Sequence, residues 1–214
     1  MLAGHYAPAY LLHGRYPHVP LLAFFLAVQA PDIVFFILVP LGIEHVALDQ
    51  AVRGPLGMEL LKIPYTHAFS LTVLYAVVIA LAGTVWRHWR VGVALALAVF
   101  SHWCLDLIVH EPDLPLTVDG ATRVGFGLWR YALLAYLLEV GLVVGSAIWL
   151  GRRLPSPRAR RWLYAGAAVL TVVQTIYVIL PPPDTDVALA IQAELTYLVA
   201  AVLAWAVDRQ VARG

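Results

Sequence analysis

Val91-Gly92-Val93-Ala94-Leu95-Ala96-Leu97-Ala98-Val99-Phe100 runs unbroken into Ser101-His102-Trp103-Cys104-Leu105-Asp106-Leu107-Ile108-Val109-His110-Glu111-Pro112-Asp113. The first half has nothing to offer water and reads as part of a membrane-spanning helix over 91–109. In the second half His102, Asp106 and His110 fall at i, i+4 and i+8, so a helix stacks them along one face. Ionisable groups at membrane depth are costly and face a bundle interior, a cavity or a partner. Imidazole and carboxylate together are an ordinary ligand set for a divalent metal. For any one such residue a hydrogen-bonded polar seam between helices is the plainer reading. Three in register, followed by Pro112-Asp113, favour a site.

The composition points the same way. Of 214 residues, 62% are hydrophobic and 13% charged, with a mean hydropathy of +0.81. A soluble domain carries about a quarter charged residues, so this chain has little with which to coat itself for water. The expectation is a single all-α domain over 1–214, a polytopic bundle whose partners are membrane lipids. The formal net charge of +1 says nothing about a nucleic-acid partner, and none is expected, since no basic stripe interleaved with aromatics is present. Cys104 is the only cysteine, which excludes an internal disulfide and a cysteine-based zinc site. Met1 to Gly14 lacks the basic region of a cleavable signal peptide, so the first span is expected to act as its own insertion signal.

Six stretches are long enough to cross a bilayer, near 21–41, 68–86, 91–109, 128–150, 162–180 and 187–207. Connections are short except 42–67 and 110–127. Pro181-Pro182-Pro183 stops the fifth helix, and Gly141 and Gly145 give the fourth a small-xxx-small spacing suited to close helix packing. Leu2 to Leu12 is apolar but too short to span. It is either a half-helix entering the membrane, which lifts His5 about 13 Å from the turn at Gly14, or an interfacial helix with Tyr6, Tyr10 and Tyr16 at the headgroups.

Arg15, Arg87, Arg90, Arg152, Arg153, Arg158, Arg160, Arg161, Arg209 and Arg213 fall on one side if both termini are cytoplasmic, as the positive-inside rule requires. That orientation suits a multi-pass protein of the inner (plasma) membrane. The opposite loops carry Glu44, Asp49, Glu59, Glu111, Asp113, Asp119, Asp184 and Asp186. With this orientation Asp32, His67, His102, Asp106, His110, Glu139 and Glu194 all lie between the midplane and the outer face. Their shared depth implies a polar cavity opening outward.

If a metal binds, the ligand candidates are His5, Asp32, His67, His102 and Asp106, with His110 and Glu139 behind them. Zinc is the favoured ion, since imidazole and carboxylate ligands let it acidify water and polarise a phosphoryl or carbonyl oxygen. Glu139 is the candidate general base, with Asp106 beside it as a catalytic carboxylate. Arg123 and Arg130 are candidate phosphate contacts, against a plainer reading of Arg130 as an interfacial anchor with Trp129 and Tyr131. Asp113 and the Glu44-His45 pair read as solvated charge at the mouth, able to guide a polar substrate. His13, His18 and His88 read as interfacial. A carboxylate paired with histidine in a metal-free network accounts for the same residues.

The order Gly4-His5, Pro31-Asp32, Thr66-His67 and Ser101-His102-x-x-x-Asp106 resembles the membrane-bound, metal-dependent hydrolases of the YdjM-like family over the first half of the chain. The resemblance implies a polytopic membrane hydrolase and supplies no substrate. Two departures stand out: the family's Pro-Asp-x-Asp-His is here Pro31-Asp32-Ile33-Val34-Phe35, and its His-Arg-Gly ahead of Thr-His is Lys62-Ile63-Pro64. These put a second metal or a phosphate contact in question. A looser similarity, in the spacing of His102, Asp106 and His110, is to the zinc-dependent phospholipase C and single-strand nuclease superfamily, where Glu139 would stand for a later acidic ligand.

The expected function is hydrolysis of an ester or phosphoester, in a lipid, from the outer half of the bilayer. A small permease using the same cluster for proton or cation coupling is the alternative, though no inverted repeat is evident. A structural component whose polar seam fixes helix register is the third. Nothing in the sequence fixes an oligomeric state.

Overall fold

The computed structural model describes residues 1–48 and 58–212, so Asp49 and Arg213 lie outside the described residues. It is an all-α bundle of seven helices: α1 (Tyr6–Arg15), α2 (Leu21–Leu38), α3 (Phe69–Val85), α4 (Trp89–Val109), α5 (Ala132–Gly151), α6 (Pro157–Ile179) and α7 (Asp186–Val211). All except α1 and α3 are long and apolar enough to cross a membrane; α3 is apolar but has 17 residues. The chain is thus built as a membrane protein, with its apolar residues turned outward as well as inward: Leu133 and Leu198 are 69% and 60% exposed.

Local chemistry sets the helix ends. Ser156 accepts the Ala159 amide and precedes Pro157, which opens α6 with its fixed φ. Thr185 does the same for α7 through the Ala188 amide. The start of α2 has no cap of its own, because Pro20 stands there; Asp208 of α7 reaches across and accepts the Leu21 and Leu22 amides at 2.8 and 2.9 Å. The expected fourth span from 128 starts later, because Gly127 at φ +71 opens a 3-10 turn over Leu128–Arg130 before α5 begins.

Of the two readings of the amino-terminal segment, the half-helix holds. Tyr6, Ala9 and Tyr10 of α1 are almost wholly buried, packed with Phe25, Val143 and Leu150 in the larger core. Tyr6 and Tyr10 meet the Phe25 ring at 4.5 and 5.3 Å between centroids. His13 is accordingly not interfacial: it is buried, and its Nδ1 pairs with the Val19 carbonyl at 2.9 Å, closing the turn into α2.

The small-residue contact that brings two helices together is not the expected one. A Cβ built on Gly141 or Gly145 meets nothing within 4 Å, whereas one on Gly83 would fall 2.5 Å from the Gly92 Cα, so the tight crossing is α3 on α4.

The two long connections are not featureless loops. Each folds into a short antiparallel pair, β1 (His45–Leu48) with β2 (Met58–Lys62) and β3 (Leu114–Pro115) with β4 (Arg123–Val124). Leu60 and Leu114 from these pairs, with Ile63 just after β2, are buried against Phe35, Phe36 and Tyr197, forming a second core at one end of the bundle. Arg123 ties the pairs together, donating to the Leu60 and Leu61 carbonyls at 2.8 and 2.5 Å.

Candidate metal centre

His102 and Asp106 sit one turn apart on α4, both 1% exposed. Asp32 of α2, next to Pro31, stands opposite them, and the Val28 carbonyl one turn earlier on the same helix accepts His102 Nδ1 at 2.7 Å. His67, just ahead of α3, and His110, where α4 ends, enter from the hairpin end. His5 enters from the start of α1, its ring stacked on His102 at 3.8 Å and 10°. All are buried.

The outer partners fix how each imidazole is presented. A carbonyl accepts and cannot donate, so His102 carries its proton on Nδ1. His110 Nδ1 faces Asp113 Oδ1 at 3.1 Å, and a carboxylate likewise accepts. His67 Nδ1 lies 2.7 Å from the Thr66 hydroxyl, whose own proton goes to Glu44 Oε2 at 2.6 Å; His67 Nδ1 therefore donates. Three histidines thus have Nδ1–H tethered outward and Nε2 turned inward, the arrangement that orients metal-ligating histidines.

The inward nitrogens converge on two carboxylates. His67 Nε2 and His102 Nε2 lie 3.2 and 3.4 Å from Asp32 Oδ1, and 3.8 and 3.0 Å from Asp106 Oδ2. Asp106 Oδ1 faces His5 Nε2 at 3.1 Å, His110 Nε2 at 3.6 Å and the α-amino group of Met1. Asp32 Oδ2 is held by Gln29 Nε2 at 2.8 Å and the Tyr197 hydroxyl at 3.3 Å, which leaves Oδ1 for the nitrogens.

His102 Nε2 is 3.0 Å from one carboxylate oxygen and 3.4 Å from another, yet has no hydrogen-bond partner of good geometry among the described residues. An ion held between these atoms would satisfy the nitrogen and both oxygens at once. The spacings agree: a tetrahedral site with bonds of about 2.0–2.1 Å has edges of roughly 3.3–3.4 Å, and the four separations quoted for His67, His102, Asp32 and Asp106 run from 3.0 to 3.8 Å. Two groups, His5–His102–Asp106 and Asp32–His67–His102, are compact enough to hold a metal ion. The buried donor set fits a divalent cation.

The remaining candidates lie around this centre. Glu139 is fully buried beside it, but its Oε2 accepts the Leu2 and Gly4 amides at 2.8 and 3.3 Å, so it anchors the segment that carries His5. Asp113 orients His110. Arg130 forms a forked ion pair with Glu111 at the surface, and Arg123 is committed to the β2 carbonyls, so neither guanidinium is among the converging groups. Glu194 lines a separate groove with Phe36 and Pro40.

Sequence reasoning missed Glu44, read as solvated charge and here fully buried, and the Gln29 and Tyr197 donors to Asp32. Gln29 stands three residues before Asp32 on one helix, a spacing that places both on one face. No local pattern marks Glu44 or Tyr197. Comparison with family models, curated proteins and solved structures finds no match for this chain.

Proposed function

We propose that this chain is a membrane-embedded, zinc-dependent hydrolase that cleaves an ester or phosphoester of a lipid. The observation that carries the reading is the tethering of His67, His102 and His110 through Nδ1, with every Nε2 turned on the Asp32 and Asp106 carboxylates. A buried cluster that only fixed helix register has no need of a carbonyl, a Thr–Glu relay and an aspartate each dictating a tautomer. The resemblance in motif order to YdjM-like hydrolases supports the same class of reaction.

When bound, a divalent metal supplies Lewis acidity, acidifying water and polarising an ester or phosphoryl oxygen. His67, His102, Asp32 and Asp106 would hold it, with His5 and His110 on the other oxygen of Asp106. Asp106 faces both groups and carries the negative charge between them. Glu44 keeps His67 in one tautomer, and Asp113 does so for His110. Glu139 keeps the Met1–Gly4 segment, and with it His5, against the cluster.

Two features favour a lipid. The cavity touching Asp32, His67, Asp106 and His110 is walled by Phe35, Phe36 and Leu60, so a polar head there would be flanked by apolar surface. An apolar groove of about 440 Å³, lined by Pro31, Val34, Tyr65, Thr66, Tyr75 and Val99, runs up to the neighbours of Asp32 and His67 and has room for an acyl chain. The arginines of the α3–α4 and α5–α6 connections favour an orientation with that end cytoplasmic and the cluster in the outer half of an inner membrane.

The test is turnover of fluorogenic carboxyl-ester and phosphodiester lipids by the detergent-purified full chain, with and without chelator. Hydrolysis of one class, abolished by chelator, restored by zinc and absent from Asp106→Ala, is expected. A zinc-loaded protein that turns over neither class would overturn the hydrolase reading.

A further inference from the structure

A second cleft, of about 60 Å³, opens between α5 and α6 and is lined by Trp129, Ala135, Tyr136, Glu139, Gln174 and Val178. Two of these side chains carry a buried polar atom with no hydrogen-bond partner among the described residues, the acceptor Glu139 Oε1 and the donor Trp129 Nε1. The residues themselves are 0% and 6% exposed. Buried polar groups are almost always paired, and each exception calls for a partner.

Neither group is free to turn elsewhere. Glu139 is pinned through Oε2 by the Leu2 and Gly4 amides, and the Trp129 ring lies against His110 at 4.2 Å. Glu139 and Trp129 thus bring an unmet acceptor and an unmet donor to the wall of the cleft, with Ala135 and Val178 as apolar flanks. The pair selects its ligand by what each group lacks. A carboxylate or phosphate can only accept, so it satisfies Trp129 and repels Glu139. An ammonium can only donate, and leaves the indole N–H unmet. A hydroxyl does both at one atom.

We propose that this cleft binds the hydroxyl of an amphipathic alcohol, which donates its proton to Glu139 Oε1 and accepts the Trp129 indole N–H while its alkyl part lies along Ala135 and Val178. The cleft is distinct from the acyl groove between α2 and α3, and the proposal does not depend on hydrolysis at the metal-capable cluster. Because Trp129 also lines the cavity at Asp106 and His110, an occupant of the cleft rests against the wall of that cavity.

The experiment photolabels the detergent-purified full chain with a diazirine-bearing hexadecanol and with its methyl ether, which keeps the acceptor and loses the donor. The alcohol is expected to label peptides covering 129–139 and 174–178, with the ether weaker by about fivefold, the worth of one hydrogen bond. Trp129→Phe keeps a ring and removes the N–H, and should lower labelling by the alcohol to a similar degree; Glu139→Gln tests the acceptor. If Glu139→Gln fails to fold, the ether comparison and Trp129→Phe still decide. Equal labelling by alcohol and ether, labelling spread over the lipid-facing surface, or a Trp129→Phe protein labelled like wild type would each overturn the proposal, leaving a cleft that takes water alone.

Discussion

Glu44 accepts the Thr66 hydroxyl at 2.6 Å, and also the Thr66 amide at 3.1 Å, in a pocket with no exposure to solvent. Neither residue reaches the carboxylate cluster. Together they decide which nitrogen of His67 does, because a Thr66 hydroxyl that has given its proton to Glu44 can only accept from His67 Nδ1.

Thr66→Val removes that relay without altering the shape of the side chain. Divalent-metal affinity is expected to fall by about 10- to 100-fold, the usual cost of losing an outer partner of a ligating histidine. Isothermal titration or competition with a chromogenic chelator measures it. An affinity equal to wild type, with helicity unchanged, would remove Glu44 and Thr66 from the account of the site.

Arg123 is the latch between the two strand pairs, and β2 supplies Met58 and Leu60 to the cavity at Asp32 and Asp106. Arg123→Ala should speed amide exchange across 58–62 by about tenfold, since two hydrogen bonds from a charged donor are lost. Arg123→Lys should restore little of the protection, because an ammonium lacks the planar fork that meets two carbonyls. Unchanged exchange in Arg123→Ala would mean that packing of Leu60 alone holds the hairpin.

How much of this was legible depends on the period of the element concerned. His102 and Asp106 were readable as a pair because a helix imposes the i, i+4 register whatever surrounds it. Asp32 was readable through Pro31. The five long helices and the shorter α3 followed from apolar runs, with ends displaced where Gly127 or Pro40 intervened. For α1 the sequence offered two placements, since a helix apolar on most faces suits an interface and an interior alike; only the contacts of Tyr6 and Tyr10 decide. Glu44 and Tyr197 were hidden for another reason. Their approach to the cluster depends on a hairpin folding back and on how α7 lies against α2, and neither leaves a local periodicity.

The proposed orientation puts the hairpin end outside. In a Cys104→Ser background, Asp119→Cys in the β3–β4 turn should react with a membrane-impermeant maleimide on intact cells, and Ser156→Cys in the α5–α6 connection only after permeabilisation. The reverse pattern would invert the orientation and leave the cluster facing the cytoplasm.

The most direct measurement is the metal content of the detergent-purified chain after zinc loading and gel filtration, for wild type, His102→Ala and Asp106→Ala, with helicity recorded alongside. Wild type should retain at least about one equivalent per chain, and both variants should lose it while remaining helical. A wild type that elutes without metal, or variants that retain as much as wild type, would contradict a metal centre at these residues.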